Sequence, residues 1–104
     1  MPYGINKPSK EVLTKTYKLE ENRILATDEY GTELGELNFT QNGDEWIITH
    51  VGVSIAARRR GLGGTLVEKA VQYARDRHKK ITPLCSFAVS EFANNPSYKS
   101  VLAE

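Results

Sequence analysis

The sequence predicts an α+β domain: a mostly antiparallel, twisted sheet with one β-α-β unit, covered on one face by a single long helix and closed by a short C-terminal helical segment. Two observations carry this. The first half of the chain is a series of short β-type runs separated by tight-turn signals. The second half holds one long amphipathic stretch, followed by one more apolar run. With 104 residues, 39% hydrophobic and 26% charged, the chain fits one domain with a small core. Such a core leaves room for an open cleft rather than an enclosed chamber.

Residues 1–14 carry Pro2, Gly4 and Pro8 among polar residues and read as a flexible tail, so the folded domain is expected over residues 15–104. Strands are expected at Thr16–Leu19, Arg23–Thr27 and 33–40, with EEN and DEYGTE as the turns. Asn42-Gly43 is a hairpin signal and leads into a strand at 46–53. Residues 61–78 form the clearest helix. Leu62, Leu66, Val67, Ala70, Val71 and Ala74 make its apolar stripe, and the basic run RDRHKK suits its C-terminus. A buried strand is expected at 81–87, able to lie parallel to 46–53 through a right-handed crossover. SEFANN then reads as a short helix, broken at Asn95-Pro96, before a last helical turn.

Composition narrows the function. The formal net charge is +1, so the basic clusters are local, which speaks against a nucleic-acid-coating protein. The single cysteine, Cys85, rules out an intramolecular disulfide framework and a cysteine-based zinc site. No metal site is expected. The start of the chain shows no signal-type apolar run and no stretch reaches transmembrane length, so a cytoplasmic protein without a membrane partner is the expectation.

The most informative run is VGVSIAARRRGLGGTL. A β-type segment enters a basic loop, Arg58, Arg59 and Arg60, then Gly61, Gly63, Gly64 and a helix. Glycines let backbone approach a ligand closely. The free N–H groups and dipole of a helix start favour an anion, and arginines add charge-assisted phosphate contacts. A phosphate site at a strand–loop–helix junction follows. Two familiar loops fail here. A dinucleotide fingerprint needs a third glycine where Leu66 stands, and no Gly-Lys-Ser/Thr of a P-loop occurs.

The pattern that fits is R-x-x-G-x-G over Arg58 to Gly63. Flanked by THVGVS and GTLVEKAVQYA, it resembles the acetyl-coenzyme A loop of the GNAT acetyltransferase superfamily, and more closely its minimal, YjdJ-like branch. The resemblance runs from about Lys15 to the C-terminus. It implies an acetyl-CoA-dependent N-acetyltransferase that acts on an amine, small molecule or protein. Acetyl-CoA would lie in a V-shaped gap between strand 46–53 and the strand holding Cys85. Its pantetheine arm would pair with Val51, Gly52 and Val53 like an added strand. Its pyrophosphate would rest on N–H groups between Arg59 and Gly64, Leu62 included, with Thr65 as a further donor. Arg59 departs from the family, in which many members have glycine.

For the chemistry, His50 is a candidate general base, because imidazole ordinarily titrates near neutral pH. Strand alternation puts it on the face of Trp46 and Ile48. Cys85 has two readings, an acetyl-accepting nucleophile or a small residue lining the cleft. Tyr98 reads as core packing, with a place near the coenzyme as the alternative. A non-catalytic coenzyme-binding module and a nucleic-acid binder using Arg58–Arg60 and residues 75–80 are the competing functions; a monomer is the simple expectation.

Overall fold

The structure is a computed structural model and describes residues 15–103. The fourteen-residue stretch read as a tail lies outside the described residues. Five strands form one sheet in sequence order: β1 (Thr16–Leu19), β2 (Arg23–Thr27), β3 (Glu33–Asn42), β4 (Glu45–Val53) and β5 (Lys80–Pro83). The first three pairings are antiparallel, and β5 lies parallel to β4. Between them runs α1 (Leu62–Asp76), so β4-α1-β5 is the single β-α-β unit.

Each stretch forms its element for a local reason. The β3–β4 hairpin closes over Gly43 and Asp44, between the pair Asn42 and Glu45. Gly43 takes the positive φ (63°) that such a two-residue turn asks of its first central position. The six apolar residues of the helical stripe are all buried against the sheet, packed with Ile24, Leu37, Phe39, Ile48 and Ile81. Phe39 and Trp46 stack at 4.5 Å between ring centroids. The last described residues cover the outer edge of β5: Ile81 bridges Leu102, and the Ala103 N–H donates to the Ile81 carbonyl. Among the described residues no helix is long and apolar enough to cross a membrane.

Two local expectations are corrected. The last strand ends at Pro83 rather than running to residue 87. Cys85 and Phe87 are therefore not strand residues: Cys85 is the N-cap of α2 (Ser86–Asn94), and its sulfur accepts the Ala88 N–H at 3.4 Å. Ala88 and Phe92, four apart, are the buried residues of α2. This is helical spacing, and it overrides the β-like apolar composition.

The second correction concerns parity on β4. His50 pairs with Asn38, but Ile48 pairs with the next residue, Phe39, so Thr49 is an extra residue in β4. Such a bulge bends the strand and shifts its alternation by one. Val51 and Val53, opposite Leu37 and Gly35, join Ile48 on the core side. His50 and Gly52 consequently fall on the other face, not on that of Trp46 and Ile48.

Candidate functional site

The bulge lies where β4 loses its parallel partner. Pairing with β5 stops at Ile48 and Pro83. Past that point the Ile48 carbonyl accepts the N–H groups of Leu84 (2.9 Å) and Cys85 (3.4 Å), and the chain turns into α2. β4 continues to Val53 alone on this side, so the two elements splay into a fork. The fork opens onto a cleft of about 540 Å³ lined by His50, Val51, Gly52, Val53, Arg58, Gly63 and Phe87. An adjoining recess of about 340 Å³ adds Ala57, Arg59, Gly61, Leu62, Gly64 and Glu91. Both are open to solvent, as the small core implies.

The basic, glycine-rich end of the cleft is built by the chain between β4 and α1. After a 3₁₀ turn at Ile55–Ala57, the backbone passes through three exposed arginines. The Arg58 Nε donates back to the Val53 carbonyl at 3.2 Å, which holds that guanidinium at the end of β4. Arg59 has φ 68° and Gly61 φ 73°. The left-handed region is natural for Gly61, the N-cap of α1, but costs an ordinary side chain about 1–2 kcal/mol at Arg59. No side chain caps α1 and no acidic residue stands in its first turn, which leaves the opening N–H groups free for an incoming anion. None of the three arginines forms an ion pair among the described residues.

The other wall comes from α2. A Cβ added to Gly63 would stand 2.9 Å from the Phe87 ring, so glycine lets this aromatic lie directly over the first turn of α1. Phe87 remains 42% exposed and presents its free side to both recesses. Glu91 lies one turn further along, with Oε1 3.2 Å from the position a Gly64 Cβ would take. Sequence reading put Phe87 in a strand and began the helix only at Ser90, so it missed Phe87 and gave Glu91, although helical, no place at the site. The Ala88/Phe92 spacing was the signal that could have found them.

The predicted residues thus divide. His50, Val51, Gly52, Val53, Arg58 and Gly63 come together in the main cleft, and Arg59, Gly61, Leu62 and Gly64 in the recess beside it. The Leu62 side chain is buried in the core, so only its backbone faces the recess. The Thr65 hydroxyl donates to the Gly61 carbonyl at 3.1 Å. Arg60 and Thr65 are not among the lining residues. Cys85 is half-buried beside Ile48, two residues before His50, and so stands at the crotch of the fork rather than along its walls. The His50 imidazole folds over Gly52; Nε2 lies 2.8 Å from the position a Gly52 Cβ would take. Tyr98 packs edge-on against Phe92 at 5.4 Å, and burial, then the charges of Glu68 and Glu91, raise its phenol pKa.

The basic run at the end of α1 has internal work. Arg75 donates to the Ser97 carbonyl and the Ser100 hydroxyl, and Lys80 to the Ser100 carbonyl. These bonds tie the C-terminal segment to the helix end.

A model of the GCN5-related N-acetyl-transferase family matches residues 23–101, from β2 through both walls of the cleft. The chain belongs to this acetyltransferase family. Solved GNAT structures carry the same architecture. A GCN5-like protein from Staphylococcus aureus is 30% identical, with a TM-score of 0.68 over 85% of this chain and 87% of its own. The ribosomal-protein-S18-alanine N-acetyltransferase of Escherichia coli is 17% identical, with a TM-score of 0.60 over 74% of this chain and 53% of its own. A GNAT N-acetyltransferase from Escherichia coli in complex with CoA is 19% identical, with a TM-score of 0.54 over 60% and 38%. The last two share the fold, and both are longer proteins of which this chain spans about half or less. No curated protein matches the chain. The α+β sheet with one β-α-β unit, read from the sequence, is the GNAT fold.

Proposed function

We propose that this GNAT protein transfers the acetyl group of acetyl-CoA to an amine from the fork between β4 and α2, as a minimal, YjdJ-like member of the family. The observation that carries the reading is the splay of β4 beyond Ile48, which opens directly onto the uncapped, glycine-rich start of α1. In this reading the pantetheine arm pairs with the free edge of β4 at Val51 to Val53, as a peptide adds to a sheet. The pyrophosphate rests on the N–H groups from Arg59 to Gly64, and Phe87 covers the apolar arm. The acetyl group then reaches the crotch, between His50 and Cys85. No metal takes part in this scheme.

The chemistry follows from those positions. An ammonium acceptor must lose a proton before its nitrogen attacks the thioester carbonyl, and His50 takes that proton. A backbone N–H of the bulged segment steadies the oxyanion. The C–S bond breaks, and the thiolate takes up a proton as coenzyme A leaves. Cys85 has the acetyl end of the crotch, either as its lining or as a first acceptor. The sulfur accepts the Ala88 N–H at the start of α2, a position that fixes the side chain and suits either route.

Cys85→Ser decides between these routes, since serine caps a helix well and keeps α2 in place. Retained turnover supports direct transfer, and an acetyl-enzyme seen only in the wild type, with turnover lost in the variant, supports the cysteine route. Coenzyme binding is tested by calorimetry with acetyl-CoA. No affinity at about millimolar ligand would remove the reading. The acceptor side, a cytoplasmic setting and a monomeric state belong to the same proposal, and sedimentation checks the last.

A further inference from the structure

We infer that Arg59 recognises the 3′-phosphomonoester of coenzyme A and makes this loop selective for the 3′-phosphorylated coenzyme. The inference rests on the coenzyme reading above. A pyrophosphate is served by backbone alone at the start of α1, where the N–H groups are uncapped. The monoester is a separate demand. It brings a further charge of about −1.5 to −2, whereas a helix N-terminus offers only about half a positive charge.

The three neighbouring cations differ in their freedom to meet that demand. Arg58 is held against the Val53 carbonyl at the end of β4, on the pantetheine side. Arg60 does not line the recess. Arg59 does, beside Gly61, and it has no ion-pair partner among the described residues. It also has a left-handed backbone that glycine would adopt without strain, so a guanidinium stands where the backbone itself favours glycine. The one carboxylate of the recess, Glu91, lies on the opposite wall at Gly64. It repels a second phosphate from that side and leaves the loop side as its place.

The experiment is calorimetric titration of the full chain with coenzyme A and with dephospho-coenzyme A, for wild type, Arg59→Gly and Arg59→Ala. Glycine keeps the left-handed backbone while removing the side chain and its charge, so a folding defect confined to the alanine variant does not confuse the result. The wild type should prefer coenzyme A roughly tenfold, the usual worth of one charge-assisted contact. Arg59→Gly should lose most of that preference while holding dephospho-coenzyme A within about twofold of wild type. Equal wild-type affinity for both ligands overturns the inference, and so does an equal loss of both in Arg59→Gly. A wild type that binds neither ligand overturns the coenzyme reading itself.

Discussion

At the scale of single residues, the site depends on atoms that are absent as much as on those present. Gly63 is the clearest case, because a methyl group there would press into the Phe87 ring at 2.9 Å. Gly63→Ala should weaken acetyl-CoA binding roughly five- to tenfold by pushing the ring into the cleft, the usual outcome of a crowded contact. Adding Phe87→Ala should give back part of the loss, since residues in contact do not act additively. Calorimetry of the three variants checks both statements. His50 should behave differently. His50→Ala should lower kcat by about 10²–10⁴, the usual range for a general base, and leave coenzyme affinity unchanged, because its imidazole is assigned to the acceptor proton. A change in coenzyme affinity with normal kcat would remove His50 from that role.

At the scale of elements, the sheet face away from α1 carries a small charge network. Arg23 bonds both Glu20 and Glu36, joining the β1–β2 turn to β3. The hydrogen bond from Arg23 holds the Glu20 carboxyl below its ordinary pKa, and the same two carboxylates push the arginine further up. A carboxylate with a depressed folded pKa stabilises above its ordinary range, and the benefit disappears as pH falls through the depressed value. Glu20→Gln should therefore cost stability at about pH 7 and cost progressively less toward about pH 3. Urea denaturation of both proteins across that range measures it, and a difference independent of pH would contradict it.

Elements also show how far the sequence could be read. The stripe on α1 and the turns at Asn42-Gly43 and around Gly31 are local signals, and local physics decided them. The bulge at Thr49 has no such signal: a β-type run with one extra residue looks like any other strand, and only its pairing with β3 reveals the changed parity of His50. Cys85 was misplaced for a related reason. A short apolar run suits a strand or a buried helix equally, and the tertiary contact of Phe87 with Gly63 settles it. The glycine loop was legible because backbone conformation and charge are written in the residue types themselves.

At the scale of the whole molecule, a small sheet with one covering layer must hold an open cleft without losing its core. The residues that join the two tasks lie on α1, whose first turn borders the cleft and is the proposed anion end, and whose apolar stripe fills the core. Leu66, fully buried against the sheet, should cost about 2–5 kcal/mol when cut to alanine. Coenzyme affinity measured under conditions where the variant stays folded should change little, because Leu66 faces away from both recesses. Thermal denaturation and calorimetry separate the two effects. The charge distribution matters at the same scale. With a net charge of only +1, the proposed coenzyme site relies on the local arginines, so coenzyme affinity should weaken with salt as that loop is screened.

The most direct test of the whole account is an amide NMR titration of the labelled protein with acetyl-CoA. The cleft assignment predicts saturable shifts at Val51 to Val53 along the free edge of β4, at Gly61 to Thr65 and at Phe87, with little change at Arg75 to Lys80. Shifts centred on the basic helix end, or none at the glycine loop at saturating ligand, would contradict it.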